Sequence, residues 1–177
     1  NYDKSKFRVS GHPYYIKKPK NLRFGLERIL VLTKSLTRMS PENKIKLEDR
    51  GNAIMYLLSI QRILEKIGIN RVFLRPHPSE NYNWYKKFID NTFYDEDKDD
   101  FSNSLNKSTL VIGPVSTSLI DAIQHSVNYI VYEPLIKNTN IYGKLPTPPL
   151  DGKDSKIPIA NSEKDLEKIL IKRKKID

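Results

Sequence analysis

Four short apolar runs, each rich in Ile, Val and Leu and each followed by chain of different character, constrain this fold more than any other feature. Arg28–Leu36 (RILVLTKSL) opens with one, and Arg71–Leu74 (RVFL), Thr109–Ile112 (TLVI) and Asn128–Tyr132 (NYIVY) are the others. A strand with one wet face alternates apolar with polar residues, so an unbroken run points to a strand covered on both faces. Asp49–Gly68, between the first two runs, places Ile54, Leu57, Leu58, Ile60, Ile63, Leu64 and Ile67 at helical spacing and ends on a glycine, a natural helix stop. Shorter helices are expected within Asn81–Asn91, over Phe101–Asn106 and from Ser118 to His125. Ser162–Lys175 closes the chain, with Ser162 as N-cap and Asp165 at the third helical position. Strand alternating with helix means βαβ units. The expected fold is α/β and Rossmann-like: a parallel sheet with helices on both faces.

The length of 177 residues suits one domain with one substantial core. Residues 1–27 are basic and aromatic, are broken by Gly11, Pro13 and Pro19, and read as an entry segment or linker ahead of a domain over residues 28–177. Residues 135–160 read as a long loop, and Asp95–Asp100 (DEDKDD) as a solvated acidic loop rather than a metal site. The chain starts at Asn1, which reads as a piece cut from a longer protein or equally as a processed one.

Composition removes several function classes. With no cysteine, disulfides, thiolate metal sites and cysteine nucleophiles are excluded. No apolar run approaches the roughly 18 residues of a membrane-spanning helix. His12, His77 and His125 are too scattered for a zinc set, and no GxGxxG, GxxxxGK[ST] or GxSxG pattern occurs. The formal net charge is +10, and residues 1–50 alone carry 13 Lys/Arg against 5 Asp/Glu. That surplus suits a phosphate-bearing substrate, an anionic membrane surface or nucleic acid, and equally a solvated basic face. The basic residues form no nucleic-acid-binding motif, so nucleic acid is not expected. The expected location is cytoplasmic, with peripheral contact at the inner face of the membrane.

In an open parallel sheet, ligands bind beyond the carboxyl ends of the strands, at the point where strand order reverses. The residues just after each run are therefore the candidates. After the second run come Arg75, Pro76, His77, Pro78 and Ser79. Arg75 can fork onto a phosphate, and His77, held between two prolines, can donate a ring N–H to a phosphate oxygen. After the third run, Gly113 leads into Ser116, Thr117 and Ser118. These hydroxyls open a helix and read either as an ordinary N-cap or as a phosphate site. After the fourth, Glu133 is either an acceptor for ribose hydroxyls or a surface glutamate. After the first, Thr33, Lys34 and Ser35 offer weaker donors to a phosphate or an incoming acceptor.

Arg75-Pro76-His77-Pro78 resembles the HP motif of GT-B-type bacterial sialyltransferases and polysialyltransferases, and the matching histidine of glycerophosphotransferases and capsule glycosyltransferases. The stretch from Ser108 to Ala122 is similar to their next landmark, a strand ending in a paired-hydroxyl loop. Asn128–Pro134 is similar to the strand that follows, and Val9-Ser10-Gly11-His12-Pro13 resembles the V-x-G-x-P turn that joins their two halves. The resemblance spans residues 9–134, in order. It implies the donor-nucleotide half of a GT-B glycosyltransferase for surface polysaccharide, with the Gly113-Pro114-Val115 stretch favouring a CMP-linked sialic acid or similar sugar over a CDP-linked polyol phosphate. It further implies His77 as the catalytic group, aided by Ser116–Ser118 and Arg75 in stabilising the departing phosphate. No metal or resident cofactor is implied; the nucleotide-sugar donor is a substrate. The carbohydrate or lipid-linked acceptor and the catalytic base would belong to a separate N-terminal half, so this chain by itself is expected to be inactive.

Overall fold

The computed structural model describes residues 21–34, 47–136, 139–140 and 156–173. In chain order the elements are β1 (Ile29–Leu32), α1 (Leu47–Lys66), β2 (Val72–Arg75), α2 (Tyr82–Tyr85), β3 (Tyr94–Glu96), α3 (Phe101–Lys107), β4 (Leu110–Gly113), α4 (Ser118–Gln124), β5 (Asn128–Tyr132), β6 (Leu135–Ile136), β7 (Thr139–Asn140), β8 (Ile159–Ala160) and α5 (Glu163–Lys172). Six strands form one sheet in the order β3-β2-β1-β4-β5-β8, every pairing parallel, while β6 and β7 make a separate antiparallel pair. The order runs outward from β1 in one direction and from β4 in the other, so the switch point lies between β1 and β4.

Side-chain alternation along each strand divides the core in two. Ile29, Val31, Val72, Leu74, Leu110, Ile112, Ile130 and Tyr132 pack on one face with residues of α1, α2 and α5. Leu30, Leu32, Val111, Tyr129 and Val131 pack on the other, against Leu105 of α3 and Leu119 and Ala122 of α4. Both faces of β1, β4 and β5 are therefore buried, which is why their sequences show no polar alternation. The chain adopts the α/β Rossmann-like arrangement with helices on both faces.

Helix ends follow their local signals. Gly68 takes φ +85°, its N–H reaches the Glu65 carbonyl at 2.9 Å, and the Ile69 N–H reaches that of Leu64 at 2.9 Å. This pair of bonds is the Schellman stop that a glycine permits. At α5, Ser162 is the N-cap and its side chain accepts from the Asp165 N–H at 3.1 Å.

Three expectations need correction. The acidic stretch Asp95–Asp100 is not simply a solvated loop. Tyr94, Asp95 and Glu96 form edge strand β3, carried into the sheet by buried Phe93 and Tyr94, and Asp97 is itself buried. The acids are matched to cations: Asp95 to Arg71, Glu96 to Lys98, Asp97 to Arg75 and Asp99 to Lys107. Within 135–160, the described residues form β6, β7 and β8 rather than loop alone. The segment 21–27 packs on the domain: the Arg23 main chain bridges to Ser126 and Asn128, its guanidinium bonds the Leu105 and His125 carbonyls, and Phe24 and Leu26 join the core. The short helix expected within Asn81–Asn91 is α2, Tyr82–Tyr85. No helix among the described residues is long and apolar enough to cross a membrane.

Candidate functional site

The register of the central strands sets the site. Leu32 pairs with Arg75 and Val31 with Ile112, so β1, β2 and β4 end nearly level. Beyond those ends lies a cavity of about 270 Å³ lined by Leu32, Thr33, Arg75, Pro76, His77, Pro78, Phe101, Ser116, Thr117 and Ser118. It occupies the switch point. Ligand pockets generally start near 300 Å³, so this one lies at the small end of that range.

The loop after β2 is built by a tight turn. The Glu80 N–H reaches the His77 carbonyl at 2.8 Å, closing a four-residue turn with Pro78 at its second position, where a fixed φ suits it. Asn81 then caps α2, accepting from the Asn83 N–H at 2.8 Å. Inside the turn, His77 Nδ1 lies 3.2 Å from the Ser79 main-chain N–H and 2.9 Å from its hydroxyl. A ring nitrogen that accepts from a main-chain N–H carries no proton of its own. The neutral ring is therefore the Nε2–H tautomer, and Nε2–H is the donor left for a ligand.

Two carboxyl groups lock the strand ends together beneath this surface. Thr33 Oγ1 donates to Glu80 Oε2 and accepts from the His77 main-chain N–H at 2.9 Å, and that same N–H lies 3.1 Å from Glu80 Oε2. Burial raises the Glu80 carboxyl above its ordinary range, against the lowering effect of its hydrogen bonds. Tyr85 lies alongside, and burial followed by the Glu80 charge raises its phenol. On the other side of β1, Lys34 Nζ is 3.6 Å from Glu133 Oε1, which also accepts from the Val115 N–H at 2.8 Å. Successive residues of one strand end thus reach toward β2 and β5.

The loop after β4 depends on Gly113. A Cβ there would sit 2.2 Å from the Tyr129 hydroxyl oxygen and 2.9 Å from its Cζ, while that hydroxyl donates to the Pro114 carbonyl at 2.7 Å. Gly113 therefore lets the chain cross Tyr129 before turning into α4. Ser116 Oγ and Ser118 Oγ are 3.1 Å apart, and Thr117, the N-cap, makes no side-chain capping bond.

Of the candidates from sequence, His77, Pro78, Ser116, Thr117, Ser118, Thr33 and Arg75 meet at one cavity. Ser79 orients the His77 ring instead of lining the wall. Gly113 is buried beneath the loop. Arg75 borders the cavity, but its Nη1 donates to Asp97 Oδ2 at 2.8 Å, the Asp99 carbonyl at 2.7 Å and Ser104 Oγ at 3.2 Å, so its charge is matched within the protein. Glu133 is fully buried and so is not a surface glutamate; its Oε1 faces Lys34 and the Val115 N–H. Lys34 lies beside Glu133, and Ser35 and the Val9–Pro13 turn lie outside the described residues. Glu80 and Asp97 are structural partners of the site that the sequence reading passed over. The one signal for Glu80 was its position three residues after His77, where a turn folds back on itself. Among the described residues, no group of three His, Asp or Glu side chains is arranged to hold a metal ion. Comparison of the chain with protein-family models, with curated proteins and with solved structures finds no match.

Proposed function

We propose that this chain is the donor-nucleotide-binding domain of a GT-B-type glycosyltransferase, using a CMP-linked sialic acid or similar sugar to build surface polysaccharide. The observation that carries the reading is the cavity at the β1–β4 switch point, which His77 lines together with three hydroxyl residues from a different strand end. The sequence resemblance supplies the enzyme class. In this reading a donor phosphate lies between His77 Nε2–H and the hydroxyls of Ser116, Thr117 and Ser118. As the sugar departs, negative charge grows on that phosphate, and donors already in place stabilise it without reorganising. Arg75, matched by Asp97, shapes the wall and adds little net charge. The acceptor and the catalytic base would come from a second half, and the basic surface would favour an anionic membrane where lipid-linked acceptors reside.

The test is a calorimetric titration of the folded chain with CMP, CDP and UDP, repeated on His77→Ala. The expected result is saturable binding of CMP ahead of the others. Removing one hydrogen bond to a charged phosphate should weaken it by roughly tenfold or more. A preference for CDP would shift the donor to a polyol phosphate. Binding by none of the three, or binding indifferent to His77→Ala, would overturn the proposal.

A further inference from the structure

We infer that Glu80 is the positioning residue of this site, a latch whose carboxyl ties the end of β1 to the turn that carries His77. The inference deepens the nucleotide-binding reading and rests on it for the identity of the ligand, though not for the latch itself.

Three hydrogen bonds close a triangle at the end of β1. Glu80 Oε2 accepts from the Thr33 hydroxyl and lies 3.1 Å from the His77 main-chain N–H, while Thr33 Oγ1 accepts from that same N–H at 2.9 Å. Thr33 is 6% exposed and sits directly after β1, so it is a fixed point on the sheet. His77, by contrast, is exposed and lies beyond the end of β2, past the ladder hydrogen bonds that would otherwise hold it. The turn from His77 to Glu80 is closed by its own i to i+3 bond, which shapes the turn but does not orient it relative to the sheet. The triangle of Thr33, His77 N–H and Glu80 supplies that orientation. The ring, held by Ser79 at Nδ1, is then carried on a rigid turn at the cavity wall.

A carboxylate facing a phosphate would repel it, so the location of the charge matters. Glu80 is not among the cavity-lining residues, and its carboxyl lies on the inner side of the turn toward Thr33 and Tyr85. The latch needs an acceptor oxygen at this place and no negative charge. Glutamine offers the same oxygen, so Glu80→Gln should preserve the site and Glu80→Ala should loosen it.

The experiment uses the full chain and has two arms. In the first, nuclear magnetic resonance follows amide hydrogen exchange of His77 and the ring-nitrogen shifts of its imidazole in wild type, Glu80→Gln, Glu80→Ala and Thr33→Val. Glu80→Ala should speed exchange of the His77 amide by about tenfold or more and move the ring signals, with core amides of β1 and β4 unchanged, as expected for loss of a hydrogen bond to an acidic acceptor. Glu80→Gln should stay near wild type, and Thr33→Val combined with Glu80→Ala should be less than additive. In the second arm, CMP is titrated into the same variants, and the loss in Glu80→Ala should approach that of His77→Ala. An unchanged His77 amide in Glu80→Ala, or a Glu80→Gln variant as loose as Glu80→Ala, overturns the latch. If wild type binds no CMP, the functional reading fails while the exchange arm still decides the latch.

Discussion

Replacing Gly113 by alanine should destabilise the domain and do so through Tyr129. The added Cβ would sit 2.2 Å from the Tyr129 oxygen, 2.9 Å from Cζ and 3.2 Å from Leu32 Cβ. Tyr129 is completely buried, packs among Leu30, Val111 and Val131, and spends its hydroxyl on the Pro114 carbonyl. Overpacking of a tight core costs about 1–3 kcal/mol. Displacing the tyrosine also stretches one buried hydrogen bond, about 1 kcal/mol. Alanine returns about 0.5–1 kcal/mol, because glycine loses more freedom on folding and φ at Gly113 is not positive. The expected net loss is about 1–3 kcal/mol, read as a lower urea midpoint at unchanged slope. Tyr129→Phe removes the 2.2 Å contact and leaves the one at 2.9 Å, so the double variant should recover part of the loss. Side chains in contact couple by about 0.5–3 kcal/mol, and here the double variant should be more stable than the two single losses combined. A Gly113→Ala protein as stable as wild type, or losses that simply add, would refute the reasoning. Because the loop to Ser116–Ser118 starts here, any measured nucleotide binding should weaken in the same variant and recover with it.

Other perturbations separate stability from the site. Asp97 has a 2% exposed side chain held by Arg75, so Arg75→Ala should cost about 3–5 kcal/mol by leaving a buried charge unmatched. The Arg75→Ala/Asp97→Ala double variant should cost less than the summed single losses in denaturant titrations, and strict additivity would show that the pair does not act as one. Glu80 gives a pH signature. Its folded-state affinity for a proton is raised, so between the ordinary carboxyl range and that raised value the folded chain holds more proton than the unfolded one, and stability falls as pH rises. Glu80→Gln lacks this titration, so its stability relative to wild type should improve from pH 4 to pH 7. A relative stability that is flat or falls over that range would contradict burial as the dominant effect.

The strands that were easy to read were those covered on both faces. ILVL, LVIG and NYIVY are buried at every position, and VFL is buried on one face and partly covered on the other, so apolar residues dominate all four. β3 was not readable, since Asp95 and Glu96 are poor strand formers and hold their place by pairing with β2 and by ion pairs to Arg71 and Lys98. β8 has two residues, too few for any periodicity. In the site, His77 and Ser116–Ser118 were visible from their placement after apolar runs. Glu133 and Asp97 were not recognised as buried, nor Glu80 as half-buried, because an acid in a loop looks the same in sequence whether it faces water or a fixed donor.

What the sequence determined by itself was local: the helix stop at Gly68, the cap at Ser162, the turn opened by Pro78, and the need to cover four apolar runs on both sides. Those signals act between residues a few positions apart, through backbone geometry and solvent exclusion. The tertiary structure decided the strand order and therefore which loop ends meet. It set Thr33 against Glu80 across 47 positions and Arg75 against Asp97 across 22, so that a cavity-lining arginine also carries an internal ion pair. Such pairings depend on where whole layers pack, and no run of neighbouring residues carries that information.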